Sequence, residues 1–258
     1  MGKGSAARVY IGKDTATRQL YALKAVQGAA RRRVPTEVEL HAALRHSHIV
    51  PLVRHFADAQ CDYMLLALCN NHSLADVLRW REGISEPEAR YYLRQTLSAL
   101  DYVRRKGLIH RDIKPANLLL HNMVVKLGDF GLACRAADAA RERSLCGTPN
   151  YVAPELLRRE PPSASVDVWA AGVVLYTLLV GEEPFRDRDI ASTYARILSH
   201  SYAVPRAAAL SPDAERFIAW LLSADPRQRP SAELAFSHAW FAQPTPDALP
   251  KRALRQPL

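Results

Sequence analysis

Two parts of different character make an α+β chain the expected fold: a small antiparallel β-sheet lobe, then a larger, mainly α-helical lobe. Three observations carry that expectation. Apolar and polar residues alternate in short runs through the first third of the chain. The period turns helical after Asn70-Asn71. A capping box with proline in its first turn, Ser85-Glu86-Pro87-Glu88, then opens a long amphipathic stretch.

The elements follow in order. Ala7 to Gly12 and Leu20 to Val26 read as strands around a turn at Asp14-Thr15. Pro35 to Leu44 has a short helical pattern that Pro35 can begin but not contain in its interior. Ile49 to Phe56 and Tyr63 to Leu68 read as two further strands. The helix capped at Ser85 carries Ala89, Tyr92, Leu93, Leu97, Leu100 and Val103 on one face and stops at Gly107. Later helices are expected at Val166 to Val180, Ile190 to Ser199, Pro212 to Leu222 and Ala232 to Trp240. No internal repeat is visible. From Gln243 onward four prolines (Pro244, Pro246, Pro250, Pro257) lie among basic residues and predict a linker or disordered tail.

Composition excludes several classes. The net charge is +9, from 35 Lys and Arg against 26 Asp and Glu, but the basic residues are scattered apart from Arg31-Arg32-Arg33. No basic stripe interleaved with aromatics appears, so nucleic acid is not expected as a main ligand, and the arginine run reads as a solvated loop. Cys61, Cys69, Cys134 and Cys146 form no metal-binding spacing and read as reduced thiols. The start, Met1-Gly2-Lys3-Gly4, has no apolar signal segment, and the apolar run Val166 to Val180 is interrupted by Asp167. A soluble intracellular protein, cytoplasmic or nuclear and without a membrane partner, is expected.

The residues that carry chemistry stand in one order. Gly2-Lys3-Gly4-Ser5-Ala6-Ala7 is a glycine-rich turn ahead of a strand, weak evidence by itself. Tyr21-Ala22-Leu23-Lys24 closes the next strand on a lysine, which on an ordinary strand would only snorkel to the edge. Then come His110-Arg111-Asp112-Ile113-Lys114-Pro115-Ala116-Asn117, Gly128-Asp129-Phe130-Gly131 and Ala153-Pro154-Glu155. Any one triplet could occur by chance; all three in this order form the protein kinase signature. Phosphoryl transfer needs a triphosphate grip, hard metal ligands and a base. Gly2, Gly4 and Lys24 would grip the phosphates of ATP, with Glu37 as the lysine's ion-pair partner. Asp112 would orient the substrate hydroxyl, and Lys114 would neutralise charge on the transferred phosphate, the serine/threonine pattern. Asn117 and Asp129 would hold Mg2+. Phe130 would pack under the short helix and tie Asp129 to Glu37.

Within the superfamily the chain resembles the polo-like kinases, which are cell-cycle serine/threonine kinases. The resemblance runs from Gly2 to about Phe241, carried by Thr36-Glu37-Val38-Glu39-Leu40-His41, Glu88 to Gln95, Leu145 to Tyr151 and Tyr176 to Gly181. It implies a bilobal kinase domain over 1–242, with a small lobe over about 1–67, a hinge over about 67–71 and a large lobe over about 72–242, ahead of a tail at 243–258. It makes Leu66 the gatekeeper and Ala67 to Cys69 the hinge that meets adenine, between Val9, Ala22 and Leu119. It sets Thr148 beside Asp112 and Lys114, Asp167 beneath the catalytic loop, and Glu155 on Arg229.

Departures accompany the likeness. The family's first strand is expected to be missing or truncated, the loop's aromatic is replaced by Ala6, and the span from Lys24 to Glu37 is short. A scaffold with impaired ATP binding, or a kinase of another subfamily, is the alternative. The resemblance further implies an upstream kinase acting on Ser144 in Arg141-Glu142-Arg143-Ser144, whose phosphate would bond Arg111. It also implies acidic protein substrates, a monomer, and spindle or centrosome association. Ala116 agrees with acidic substrates, because a glutamate directly before the catalytic-loop asparagine is what pairs with substrate arginine.

Overall fold

The computed structural model describes residues 7–142 and 145–256. Strands β1 (Ala7–Lys13) and β2 (Leu20–Gln27) form a hairpin whose turn is held by Asp14, its carboxylate accepting from the Ala16 and Thr17 amides. After β2, Gly28 takes the left-handed region at φ 62 and starts a 3-10 turn over Gly28–Arg33. Helix α1 (Val34–Ala42) follows with Pro35 in its first turn, where the missing amide costs nothing. Strands β3 (Leu52–Ala57) and β4 (Cys61–Ala67) complete a four-stranded antiparallel sheet of order β1-β2-β4-β3. Side chains alternate across it. Val9 lies opposite Lys24 and Lys24 opposite Met64, while Ala22 lies opposite Leu66. By the two-residue period all five face the same side, and that side looks down on the helical part.

The larger part begins at α2 (Leu74–Arg81), opened by a capping box between Ser73 and Asp76. Helix α3 (Glu86–Arg105) has its own box at Ser85 and Glu88 and ends before Gly107, which is left-handed at φ 71. Four short strands follow. They are β5 (Leu108–Ile109), β6 (Leu118–His121), β7 (Val124–Leu127) and β8 (Cys134–Arg135). β6 pairs with β7 and β5 with β8, so the catalytic loop and the segment after Asp129 are pinned on both sides. The remaining helices are α4 (Pro154–Leu157), α5 (Ser165–Val180), α6 (Ile190–Leu198), α7 (Pro212–Leu221) and α8 (Ala239–Ala242). α5 is buried from Val166 to Leu179, with Trp169 fully buried, and packs between α3 and α7. This is an α+β, bilobal protein kinase fold. Among the described residues no helix is long and apolar enough to cross a membrane.

Four expectations need correction. The strand expected from Ile49 starts at Leu52, because Pro51 has no amide to donate; Ile49 instead bridges to Leu127. The helix expected over Ala232 to Trp240 is a 3-10 turn, Leu234–Ser237, followed by α8. His238 is extended between them (φ −70, ψ 142) and accepts the Trp240 amide on its ring, which turns Trp240 and Phe241 into the core. The arginine run is solvated only in part: Arg32 and Arg33 are exposed on the 3-10 turn, but Arg31 donates to Asp62 at 2.7 Å and to the Ala59 and Asp58 carbonyls. The described part of the tail, up to residue 256, is not loose either. Leu249 and Ala253 are buried, Arg90 donates to the Trp240 and Pro244 carbonyls, Arg81 donates to the Ala253 carbonyl, and Arg255 stacks over Trp80. Pro244, Pro246 and Pro250 break regular structure without preventing side chains from anchoring the chain.

Candidate active site

Lys24 projects from β2 toward α1 and the Asp129 loop. Its ammonium lies 2.7 Å from Glu37 Oε1 and 2.7 Å from Asp129 Oδ1. Burial alone would lower the lysine's pKa, but the two carboxylates outweigh it and hold the group charged. Asp129 is left-handed at φ 59, a conformation that Asp tolerates better than most residues. Gly131 is small because a Cβ there would stand 3.2 Å from Glu37 Oε2 and 3.3 Å from Asp129 Oδ1. Phe130 is fully buried between two rings, 4.6 Å from that of His41 on α1 and 4.8 Å from that of His110. One aromatic column therefore joins the helix bearing Glu37 to the loop bearing Asp112.

The catalytic loop is braced from below. Asp167, near the start of α5, accepts the His110 and Arg111 amides at 2.8 Å each. Those two bonds offset the left-handed backbone of Arg111, φ 66, a strain of about 1–3 kcal/mol for such a residue. Asp112 is held on three sides. Lys114 Nζ lies 2.7 Å from its Oδ2, Thr148 Oγ1 donates to its Oδ1 at 3.0 Å, and Asn117 Nδ2 donates to its Oδ2 at 3.0 Å. Lys114 also donates to Thr148 at 2.8 Å. Gly147, at φ 100, lets the chain bring Thr148 this close, since a Cβ there would sit 2.9 Å from the Arg111 carbonyl. Glu155 and Arg229 form a buried bidentate pair at 2.6 and 2.7 Å, and Arg229 stacks on Trp169.

The donor set suits a hard cation. The Asn117 amide nitrogen is turned to Asp112, which leaves the amide oxygen for a metal, and Asp129 keeps Oδ2 beyond its bond to Lys24. Among the described residues no cluster of three His, Cys, Asp or Glu could hold a metal alone. Magnesium needs none, because phosphate oxygens and water complete its shell.

The expected residues fall into three groups. Lys24, Glu37 and Asp129 meet in one ion-pair cluster, and Asp112, Lys114, Asn117 and Thr148 in a second. Val9, Ala22 and Leu66 lie on the roof strands, with Ala67 at the end of β4, Cys69 just beyond it and Leu119 below on β6. Gly2, Gly4 and Ser144 lie outside the described residues. Residue-by-residue reading missed several contacts, among them Lys24 on Asp129, Arg31 on Asp62 and Arg111 on Glu142 at 2.9 Å. The only signal was charge, which does not point to a partner.

Comparison with known proteins adds the family. The protein kinase domain model matches residues 1–241. The mouse protein named inactive serine/threonine-protein kinase PLK5 is 43% identical over 266 residues, which cover 100% of this chain and 44% of that protein. Mouse serine/threonine-protein kinase PLK2 is 38% identical over 258 residues, 96% of this chain and 38% of that protein. Xenopus laevis serine/threonine-protein kinase PLK1 is 37% identical over 266 residues, 100% of this chain and 44% of that protein. The chain thus spans less than half the length of these relatives. It belongs to the protein kinase family, where its similarity lies with the polo-like kinases.

Proposed function

We propose that the chain is a serine/threonine protein kinase that moves the γ-phosphate of ATP to hydroxyls of protein substrates. The observation that carries this reading is the Asp112 carboxylate, fixed by Lys114, Thr148 and Asn117. In that setting a substrate hydroxyl displaces Thr148 or Lys114 and hydrogen-bonds to Asp112. Its oxygen bonds to the γ-phosphorus, the bond from phosphorus to the ADP oxygen breaks, and the hydroxyl proton passes to Asp112. Lys114 lies where charge builds on the transferred group, and Lys24 grips the remaining phosphates. Asn117 and Asp129 would hold Mg2+, which neutralises phosphate charge when bound.

The same reading includes substrates acidic around the phosphosite, supported by the exposed Ala116 and the net charge of +9. Similarity to polo-like kinases supports a monomer acting in the cell cycle, in cytoplasm or nucleus or at the spindle, with an upstream kinase acting on Ser144. A second reading, a scaffold with impaired ATP binding and no transfer, is favoured by the mouse relative whose name calls it inactive. The two separate in one assay: labelled ATP, magnesium and casein, with Asp112→Asn alongside. Transfer by wild type that Asp112→Asn abolishes supports the kinase; weak ATP binding with no transfer supports the scaffold.

A further inference from the structure

Arg111 sits directly before the catalytic Asp112, and its guanidinium is almost wholly buried, with 2% of the side chain accessible. A charge so placed needs partners. Among the described residues it has two: Nε donates to the Leu132 carbonyl at 2.7 Å, and Nη1 donates to Glu142 Oε2 at 2.9 Å. The nearby Asp167 carboxylate is already taken by the His110 and Arg111 amides. Glu142 thus supplies the anion that Arg111 bonds.

Glu142 also reaches Arg111 along ordered backbone. β8 pairs with β5, the Ala136 amide donates to the Gly107 carbonyl, and a 3-10 turn runs over Ala136–Asp138. The Arg141 amide then bonds the Asp138 carbonyl at 2.9 Å, and the Glu142 amide bonds Ala139 at 3.1 Å. Little chain entropy remains to be lost when the carboxylate docks.

We propose that Glu142 is a positioning residue for the catalytic loop, its carboxylate holding Arg111 as a loop phosphate otherwise would, so that basal turnover does not require phosphorylation. The inference rests on the kinase reading and deepens it. A phosphate on Ser144 would have to compete with Glu142 for the same guanidinium, so phosphorylation adds only the difference between two anions. Glu142 acts through Arg111 and touches no reacting atom.

The test uses the whole chain after phosphatase treatment. Dephosphorylated wild type and Ser144→Ala should each keep turnover within about threefold of phosphorylated wild type. Glu142→Gln should lower kcat about tenfold while the KM for ATP changes less than about twofold. Glu142→Asp should recover part of the loss, and the melting temperature should barely move. Amide exchange over residues 132–142 should quicken in Glu142→Gln, a readout that needs no catalysis. A dephosphorylated wild type without turnover, restored by phosphorylation, would overturn the proposal, as would Glu142→Gln with wild-type kcat and exchange. If neither form transfers phosphate to any protein, the kinase reading fails, and unchanged exchange in Glu142→Gln would still refute the contact on its own.

Discussion

Lys24 and Asp129, 105 residues apart in the chain, meet in a 2.7 Å ion pair between the sheet and the loop that follows β7. Burial pushes the Asp129 carboxyl up, but the Lys24 charge and hydrogen bond outweigh it and hold the net value below the usual carboxylate range. Asp129 therefore stays ionised, the form in which the proposed function would have it hold a metal. Glu37 keeps the lysine in place from the other side.

Removing that cation should stop the chemistry and leave the fold. Lys24→Met is expected to reduce phosphate transfer at least about 100-fold, and Asp112→Asn by about 1000-fold, since both act on charge and orientation. Melting temperatures should shift by only about a few degrees. Steady-state kinetics on labelled ATP beside a thermal melt decide this; an active Asp112→Asn enzyme would refute the assigned base.

His41 predicts a pH dependence of stability. It is buried on α1 beside Phe130, its ring nitrogen 2.7 Å from the Val50 carbonyl. Burial pushes its pKa down from 6.5 to about 4. The unfolded chain therefore binds more protons between those values, and stability rises with pH across that window. The contribution is complete above pH 6.5 and is lost as pH falls toward 4, about 3 kcal/mol in all. Urea melts from pH 7 to pH 4 should show the slope, and His41→Leu should flatten it. A slope unchanged in His41→Leu would assign the effect to another group.

The Glu155–Arg229 pair should be costly to break and cheap to replace. Both side chains are almost wholly buried, at 3% and 0% accessible. Arg229→Ala strands a carboxylate and should cost about 3–5 kcal/mol, whereas Arg229→Met with Glu155→Leu should recover most of it. Urea denaturation of single and double variants measures the difference. Equal losses in both would mean that the stacking of Arg229 on Trp169 matters more than the charge.

Much of this site could be read from the chain, and the reason is chemical. In the proposed function Asp112, Asn117 and Asp129 are needed as residue types at fixed spacing, because a base and metal ligands tolerate few substitutes. Helix α3 was legible through its capping box and apolar face, and α5 through its length. The clamp of Arg31 on Asp62 and the hold of Glu142 on Arg111 were not legible, because each joins side chains distant in sequence with no period to betray them. The split at His238 was hidden for another reason. A continuous helix satisfies the same composition, and it is the His238 cap on the Trp240 amide and the packing of Trp240 against Phe217 that favour the break.

Substrate choice gives the sharpest separation between this kinase and a basic-directed one. Ala116 is exposed in the 3-10 turn Pro115–Asn117, between buried Pro115 and buried Asn117. No carboxylate at that position is available to pair with a substrate arginine. Long-range attraction from the net charge of +9 favours acidic peptides instead, and should weaken as salt shortens the Debye length. A positional peptide library should therefore show Asp and Glu enriched just before the phosphoacceptor. Installing the missing charge should reverse the bias. In Ala116→Glu, peptides with arginine about two or three residues before the acceptor should gain about fivefold in kcat/KM, as expected for one partly exposed ion pair of about 1 kcal/mol. Casein turnover should fall in the same variant, while the KM for ATP stays put because Ala116 faces the peptide side of the loop in this reading. Wild-type selection of arginine at those positions, without enrichment of acidic residues, would sink the acidic preference, and an unchanged library for Ala116→Glu would remove Ala116 as its cause.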